Sequence, residues 1–474
     1  MTSLLDSFQE AVARHPDHVA IVDGTGHETT FSALQMRSER LANAWRARGV
    51  RSGDRVLLAM RVDADLYAAL AALWSLGATV VLPEPAMGLF GLRHAARVSG
   101  VSAFCSSGAY GVLKFLIPEL WTLRHLRPKG SDRTRPDCLA PKPDDLALIS
   151  FTSGTSGAPK AIPRSHSFLA AQHRAVAPLL QSDTAERDLV AFPVFVLINI
   201  ASGRTSILPN WKMARLAKLT ADGLQNWVTT QRVTRVLLPP ALCEKLAKIQ
   251  IPERLTAVFT GGGPVFPDVV HQLQSAKPGL QIHGVYGSTE AEPIAHLDAG
   301  NIPEDDLMKM QTGFGLLVGT VAQDTNVRIV DHEIQVAGDH VNAGYLDPRH
   351  DAENKVHDGD VIWHRTGDAG YFDAQKRLWL LGRIGSQVDV AGKDVFPFAL
   401  EVAVRQWIGV GQCALVSVSG AACLVIEGDT QHLDLWHAQA AQMGVETVTP
   451  VAKIPMDKRH ASKVDRVALI AQLT

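Results

Sequence analysis

Apolar positions recur at helical spacing from Leu34 to Arg48 and stop at Gly49. A short apolar run, Arg55-Val56-Leu57-Leu58-Ala59-Met60, then follows a Gly53-Asp54 turn. Asp65 to Leu76 is a second helix-length apolar segment ending at Gly77, and Ala78 to Leu82 is apolar again. Short runs alternating with longer periodic segments predict parallel sheets covered by helices. The rhythm returns in Leu189-Val190-Ala191-Phe192, Arg235-Val236-Leu237-Leu238, Ala257-Val258-Phe259 and Gln281 to Tyr286. From about Thr320 the runs shorten and turns multiply, at Val327–Val330, Glu333–Val336, Val361–Trp363 and Leu378–Leu381, which predicts a small β-rich region, with a barrel as one arrangement of it. The fold class is therefore α/β: a large N-terminal domain over 1–382, built of two parallel-type sheets with helices and a β-rich part at about 320–382, and a small α+β C-terminal domain over 383–474. Met1 to Val22 reads as one mixed amphipathic helix, and Arg127 to Asp145, with four prolines, as a surface connection.

At 474 residues the chain exceeds one ordinary core, in keeping with two or three domains. Lys and Arg number 46 against 48 Asp and Glu, a net charge of -2 that makes no electrostatic case for nucleic acid or an anionic membrane as the chain's target. No apolar run reaches the length of a membrane span, and the N-terminus lacks the shape of a signal peptide. Five scattered cysteines with no Cys-x-x-Cys pair read as idle thiols in a reducing cytoplasm, so a cytoplasmic location is expected.

Candidate chemistry lies at the ends of the apolar runs. Thr152-Ser153-Gly154-Thr155-Ser156-Gly157-Ala158-Pro159-Lys160 follows the run Leu146–Ile149 and precedes a helix starting near Ser167. Its glycines let backbone N–H groups approach an anion, and its hydroxyls and lysine add donors suited to phosphates. It lacks Walker A spacing, and by composition alone it also reads as a flexible linker. Tyr286-Gly287-Ser288-Thr289-Glu290 follows an apolar strand, where open α/β sheets bind ligands. Glu290 suits Mg²⁺, Thr289 a phosphate and Tyr286 a base, while the plainer reading is a polar turn capping a helix. Thr366-Gly367-Asp368, between apolar runs, offers a carboxylate to ribose hydroxyls or is simply a hairpin turn. Gly382-Arg383 and Lys463 complete the set, the lysine inside a basic cluster that composition alone assigns to a solvated face.

In this order the five features resemble the adenylate-forming superfamily, which includes acyl-CoA synthetases, the adenylation domains of peptide synthetases and firefly luciferase. The resemblance spans essentially the whole chain. It implies that Thr152, Ser153, Gly154, Thr155, Ser156, Gly157 and Lys160 form the phosphate loop, and that Gly261, Gly262 and Gly263 with Tyr286, Gly287 and Ser288 serve the adenine. It further implies that Glu290 holds Mg²⁺, that Thr289 and Glu290 assist catalysis, that Asp368 binds the ribose, and that Arg383 lies at a hinge. Lys463 would be the catalytic lysine of a mobile C-terminal domain. The implied reaction is attack of a carboxylate on the α-phosphate of ATP, giving an acyl-adenylate and pyrophosphate.

Departures from the family pattern are informative. Gly385 stands where many members carry an acid or lysine, and is the expected pivot; Asp389 stands where a thioester-stage lysine is often found. Ser156 replaces a usual threonine, His332-Glu333 a usual Gly-Glu, and Ser462-Lys463 a usual Gly-Lys. Pro83 to Gly88, Phe192-Pro193-Val194-Phe195, Trp363 to Asp368, Val395-Phe396-Pro397 and Arg459 to Lys463 resemble most the β-lactone synthetases of bacterial olefin biosynthesis. In that branch the substrate's β-hydroxyl attacks the acyl-adenylate, closes a four-membered lactone and releases AMP. The chain is shorter than that branch, with Ser106 to Leu146 compressed. Phe195, Asn199 and Gly203, with His166, are candidates for the acyl pocket, although Val194 to Ile200 equally suits a buried core and His166 a structural role. ATP, Mg²⁺ and a small-molecule carboxylic acid, fatty or 3-hydroxy acyl, are the implied ligands. Transfer to coenzyme A or a carrier-protein thiol is the alternative second step, and a non-catalytic nucleotide-binding member the remote one.

Overall fold

The computed structural model describes residues 3–84, 87–131, 141–152, 159–456 and 464–473. Its smaller sheet has six strands, in spatial order Arg124–Leu126, Ala103–Ser106, Arg55–Ala59, Thr79–Val81, Leu146–Thr152 and Lys160–Ser165. All neighbours are parallel except the last pair, an antiparallel hairpin. Strands buried on both faces need near-continuous apolar sequence, which is what these runs supply. Val56, Leu58 and Val80 pack with Leu41, Trp45 and Leu70 of the helices Phe31–Ala47 and Ala64–Ser75. Leu57, Val81 and Phe104 face the other way, onto Ala95 and Ala96 of the helix Gly88–Val98 and onto Ile117 and Leu120.

The larger sheet has fourteen strands. Val19–Val22, Thr205–Ile207, Arg187–Val190, Arg235–Leu238, Ala257–Gly261 and Gln281–Ser288 are consecutive parallel neighbours. Direction reverses at Thr289-Glu290, a hairpin into Ala291–Asp298. The sheet then continues through Leu316–Val321, Leu378–Arg383, Val361–Phe372, Glu333–Ala337 and Asn326–Val330, all antiparallel. The β-rich part is thus an open extension of the parallel sheet and not a separate barrel, because Ala295↔Val321 and His296↔Thr320 hydrogen-bond the two parts together. The N-terminal expectation is also corrected. A capping box between Ser3 and Asp6 starts the helix Leu4–Arg14, the helix ends before Pro16, and Val19–Val22 is a strand.

The described residues between 388 and 473 form a hairpin (Val388–Val390, Lys393–Val395), the helix Pro397–Val404, a three-stranded sheet, and the helices Leu433–Gln442 and Arg466–Leu473. Two apolar clusters of their own, around Trp436 and around Ile454 and Leu469, make this the small α+β part.

Candidate active site

The carboxyl ends of the parallel strands and the middle of one antiparallel strand meet at a single place. Gly261 ends its strand so close to the next that a Cβ would lie 2.5 Å from the Val285 carbonyl oxygen, and only glycine fits. Gly262 takes φ +73°, with the Phe192 ring 3.3 Å from where a Cβ would sit; Gly263 is half-buried beside it. Tyr286, Gly287 and Ser288 lie in the strand itself, so the segment is the limb of a β-hairpin and not a helix cap. Gly287 lets the hairpin close, since a Cβ there would be 2.9 Å from the Ala291 carbonyl.

Thr366-Gly367-Asp368 lies inside the twelve-residue strand Val361–Phe372, not on a turn between strands. A register shift between Ala369 and Gly370, and φ +69° at Gly367, bend the strand there and aim Asp368 outward from the ladder. Tyr286 donates its hydroxyl to Asp368 Oδ2 at 2.8 Å, and Arg383 Nη1 donates to Asp368 Oδ1 at 2.7 Å. Arg383 also donates to the Thr366 carbonyl oxygen and passes directly over Gly367. Glu333 anchors the bend from behind, accepting from the Gly367 N–H and from Arg365 Nε. Tyr286, Asp368 and Arg383, from three different strands, therefore form one hydrogen-bonded unit.

A second cluster adjoins it. Tyr345 donates its hydroxyl to Glu290 Oε1 at 2.9 Å, and the Lys160 and Lys355 ammonium groups stand 5.4 and 5.3 Å from the Tyr345 ring centroid. Lys160 also donates to Asn354 Oδ1 at 3.2 Å. Lys355 is buried, donates to the Asn342 carbonyl oxygen, and burial lowers its pKa to about 8. His364, 3.3 Å from it, is pushed down to about 3, first by burial and then by the Lys355 charge. Beneath the hairpin, buried Arg164 donates to the Thr289 carbonyl oxygen at 2.6 Å, and burial raises Glu292 to about 7 against the pull of Arg164.

The sequence profile of the AMP-binding enzymes matches residues 8–346, well over half the chain. The chain belongs to this family. This AMP-binding enzyme is 28% identical to the olefin β-lactone synthetase of Stenotrophomonas maltophilia, over 93% of its own length and 90% of that protein's. It is 28% identical to the feruloyl-CoA synthase of an Amycolatopsis species, over 87% and 85%. Its fold matches that of o-succinylbenzoate coenzyme A synthetase from Bacillus subtilis in complex with ATP and magnesium ion, with a TM-score of 0.79, 18% identity, and coverage of 98% of both chains. The chain is thus an AMP-forming acid ligase, with acid adenylation as its reaction and ATP and Mg²⁺ as the expected requirements of the family.

Ser153, Gly154, Thr155, Ser156, Gly157 and Lys463 lie outside the described residues. The residues bracketing the expected phosphate loop, Thr152 and Lys160, are cross-strand partners, and His94 on the helix Gly88–Val98 hydrogen-bonds the Pro159 carbonyl at 2.9 Å. Of the acyl-pocket candidates, Phe195 is linked to the glycine turn, through Phe192 at 5.8 Å between ring centroids, while Val196 and Ile200 are buried in the core. Asn199 is fully buried and spends its amide on Asp188 and Ser206, beside the Arg235–Asp188 ion pair. Gly203 packs against His15 of the N-terminal segment. His166 is buried edge-on to Trp74, and its pKa falls to about 4 through burial. These three placements serve the core. Gly385 takes φ +75° between the strand Leu378–Arg383 and the hairpin beginning at Val388, with nothing within 4 Å of a would-be Cβ. Tyr345, Lys355, Arg164 and Glu292 escaped the sequence reading. The one available signal was a charge at an inward-facing position of an apolar strand, as at Arg164 after Ala161-Ile162-Pro163.

Proposed function

We propose that this enzyme activates a fatty or 3-hydroxy acyl acid as its acyl-adenylate and that the substrate's own β-hydroxyl then closes a β-lactone, releasing AMP. The observation that carries the adenylation half is the Tyr286–Asp368–Arg383 unit, a carboxylate presented at a strand bend at the mouth of the glycine turn. Two ribose hydroxyls are natural donors to its oxygens, and Tyr286 and the Gly261-Gly262-Gly263 backbone suit the adenine. Lys160 stands at the edge of the expected phosphate loop beside Tyr345, and Lys463 would act from the C-terminal part. In the first step the acid's carboxylate oxygen bonds to the α-phosphorus and the bond to the pyrophosphate oxygen breaks. No covalent step is asked of the protein, so positioning and charge stabilisation do the work.

Mg²⁺ fits this donor set in a limited way. Glu290 is a single carboxylate held by the Tyr345 hydroxyl, and Mg²⁺ commonly takes one or two carboxylates with the rest of its shell from water and substrate phosphates. When bound there it would offset the negative charge of the triphosphate. Arg383 and Gly385 would then divide a large domain from a mobile one, the open space around Gly385 suiting a pivot.

For the second step, the support lies on the hairpin just beyond that pivot. Asp389 and Asp394 are direct cross-strand partners, both exposed, so two carboxylates stand where a thioester-stage lysine is often found. The phosphates of coenzyme A would meet like charge there, while a tethered neutral hydroxyl meets none. The hydroxyl oxygen bonds to the acyl carbon, the bond to AMP breaks, and the hydroxyl proton leaves. The test supplies ATP, Mg²⁺ and a 3-hydroxy acid, with and without coenzyme A. The expected result is AMP with a product lighter than the acid by one water and no dependence on thiol. A thioester product whose AMP release requires coenzyme A, or acyl transfer to a carrier protein, would replace the lactone step with ordinary ligation.

A further inference from the structure

The face of the smaller sheet opposite the helices Phe31–Ala47 and Ala64–Ser75 is covered only thinly. There the helix Gly88–Val98 and the short turns Leu113–Leu116 and Pro118–Leu120 bury one side of themselves, Ala95, Ala96, Ile117 and Leu120, into the sheet. Their outer side carries Phe90 at 76% exposure, Phe115 at 75% and Trp121 at 61%, with Leu89, Val112 and Leu116 each more than half exposed. Isolated exposed apolar side chains need no explanation, but six large ones on one short stretch mark an interaction surface.

The two elements form one surface. Arg93 and Arg97, one and two turns after Phe90, both bind Glu119, at 3.0 and 2.8 Å. Glu119 stands three residues after Leu116 and two before Trp121, so it fastens the outer stripe of the helix to the aromatic turn. Charge distribution supplies the second observation. Over 87–121, the stretch that carries these side chains, the chain holds Arg93, Arg97 and Lys114 against Glu119 as the one acid, in a protein whose total charge is -2. Glu119 is shared by two guanidiniums that keep 45% and 67% of their side chains exposed, which leaves the patch positive. The described chain beyond it turns away. Trp45 donates to the Arg127 carbonyl and Ser131 to the Arg40 carbonyl, both on the helix Phe31–Ala47 at the opposite face of the sheet.

We propose that this surface docks peripherally on an anionic lipid bilayer, with Phe90, Phe115 and Trp121 entering the headgroup–acyl boundary and the arginines and Lys114 meeting lipid phosphates. Exposed aromatic and aliphatic side chains flanked by cations are what an interfacial site requires. No helix among the described residues is long and apolar enough to cross a membrane, so the attachment is to the surface and reversible. His94 of the same helix bonds the Pro159 carbonyl, so the helix that carries Phe90 also touches the edge of the expected phosphate loop. The proposal does not depend on which acid is activated.

The test is co-sedimentation of the full chain with vesicles of phosphatidylcholine alone and of phosphatidylcholine mixed with phosphatidylglycerol. The wild type should bind the anionic vesicles and lose that binding as salt rises. The Phe90→Ser/Phe115→Ser/Trp121→Ser variant should lose at least about tenfold in partition, and Lys114→Gln roughly fivefold, the scale of one cation at an anionic surface. Circular dichroism and ATP binding at wild-type levels would show that the serine variant is folded. Absence of binding to either vesicle, or equal binding by the serine variant, overturns the proposal. Concentration-dependent self-association abolished by the same three serines would instead assign the surface to a second copy of the chain.

Discussion

Replacing Asp368 with Asn tests whether the carboxylate at the strand bend serves ligand or fold. The structural cost is small. The Arg383 partner is 58% exposed, and an exposed ion pair contributes about 0–1 kcal/mol. Asn keeps the shape and one acceptor oxygen for the Tyr286 hydroxyl. Stability should therefore change by no more than about 1 kcal/mol, a thermal shift of a few degrees at most for a chain of this size. The cost to nucleotide should be larger, because a hydrogen bond to a charged acceptor is worth about 1.5–3 kcal/mol, or roughly 10–150-fold in Kd. Calorimetric titration should give that loss for both ATP and AMP, which carry the ribose, and none for pyrophosphate, which does not. A ligand-side control completes the cycle: wild type should bind 2′,3′-dideoxy-ATP far more weakly than ATP, and Asp368→Asn should discriminate much less. If the variant discriminates against the dideoxy nucleotide as strongly as wild type does, Asp368 does not receive the ribose. A fall in melting temperature that accounts for the whole affinity loss would mean the residue is structural.

Lys463→Ala should lower the rate of acid-dependent pyrophosphate release by about 10²–10³-fold while leaving ATP affinity nearly intact, since a transition-state contact is lost; an unchanged kcat in steady-state assay would remove the lysine from the mechanism. Tyr345→Phe keeps the ring beside Lys160 and Lys355 but removes the donor to Glu290, and should slow Mg²⁺-dependent adenylation by at least about tenfold, as read by ATP–pyrophosphate exchange over a Mg²⁺ titration. His166 has its folded pKa lowered by burial from 6.5 to about 4, so the unfolded chain binds more protons between those values. Stability should then be full above pH 6.5 and fall as pH drops toward 4, by about 3 kcal/mol from this residue, and denaturant melts of His166→Phe should show a correspondingly flatter acid limb.

The parallel half of the fold was legible because its strands are buried on both faces and leave continuous apolar runs such as Arg235–Leu238, found at the expected residues. The antiparallel half was harder to read. Thr366-Gly367-Asp368 looks like a turn in sequence because Gly and Asp favour turns, yet the cross-strand anchors Glu333 and Arg383 hold it within a bent strand. The barrel expectation failed for a related reason: strand pairing between Ala291–Asp298 and Leu316–Val321 is a long-range fact that no local pattern encodes. The same limit hid Tyr345 and Lys355, distant in sequence from Glu290 and Lys160. Asn199 and Gly203 are acyl-pocket candidates by sequence because they follow the Phe192-Pro193 turn, but a buried amide needs partners, and Asn199 finds them in Asp188 and Ser206 on the core side.

The contact between the C-terminal part and the large sheet has a composition suited to being made and broken. Arg405, with 4% of its side chain exposed, donates to Asp268 at 2.7 Å, lies 3.4 Å from Glu244 and stands over the Phe266 ring at 4.9 Å. Removing one partner of such a pair while the other stays buried costs about 3–5 kcal/mol. Rotation about Gly385 is a different perturbation, because it would return guanidinium and carboxylates to water together. The desolvation already spent on them would be recovered, and the net loss would approach that of an exposed pair, about 0–1 kcal/mol. Among the described residues Arg405 Nε and Asp268 Oδ1 are moreover buried without a hydrogen-bond partner, so hydration on opening would favour separation. Among the described contacts the apolar part includes Phe266 against Phe398, rings 5.9 Å apart. Val402 and Phe398 add apolar contact with the large sheet's core, so this interface, rehydratable charges beside an apolar seam and a glycine with no steric neighbours, would suit the mobile second domain proposed above.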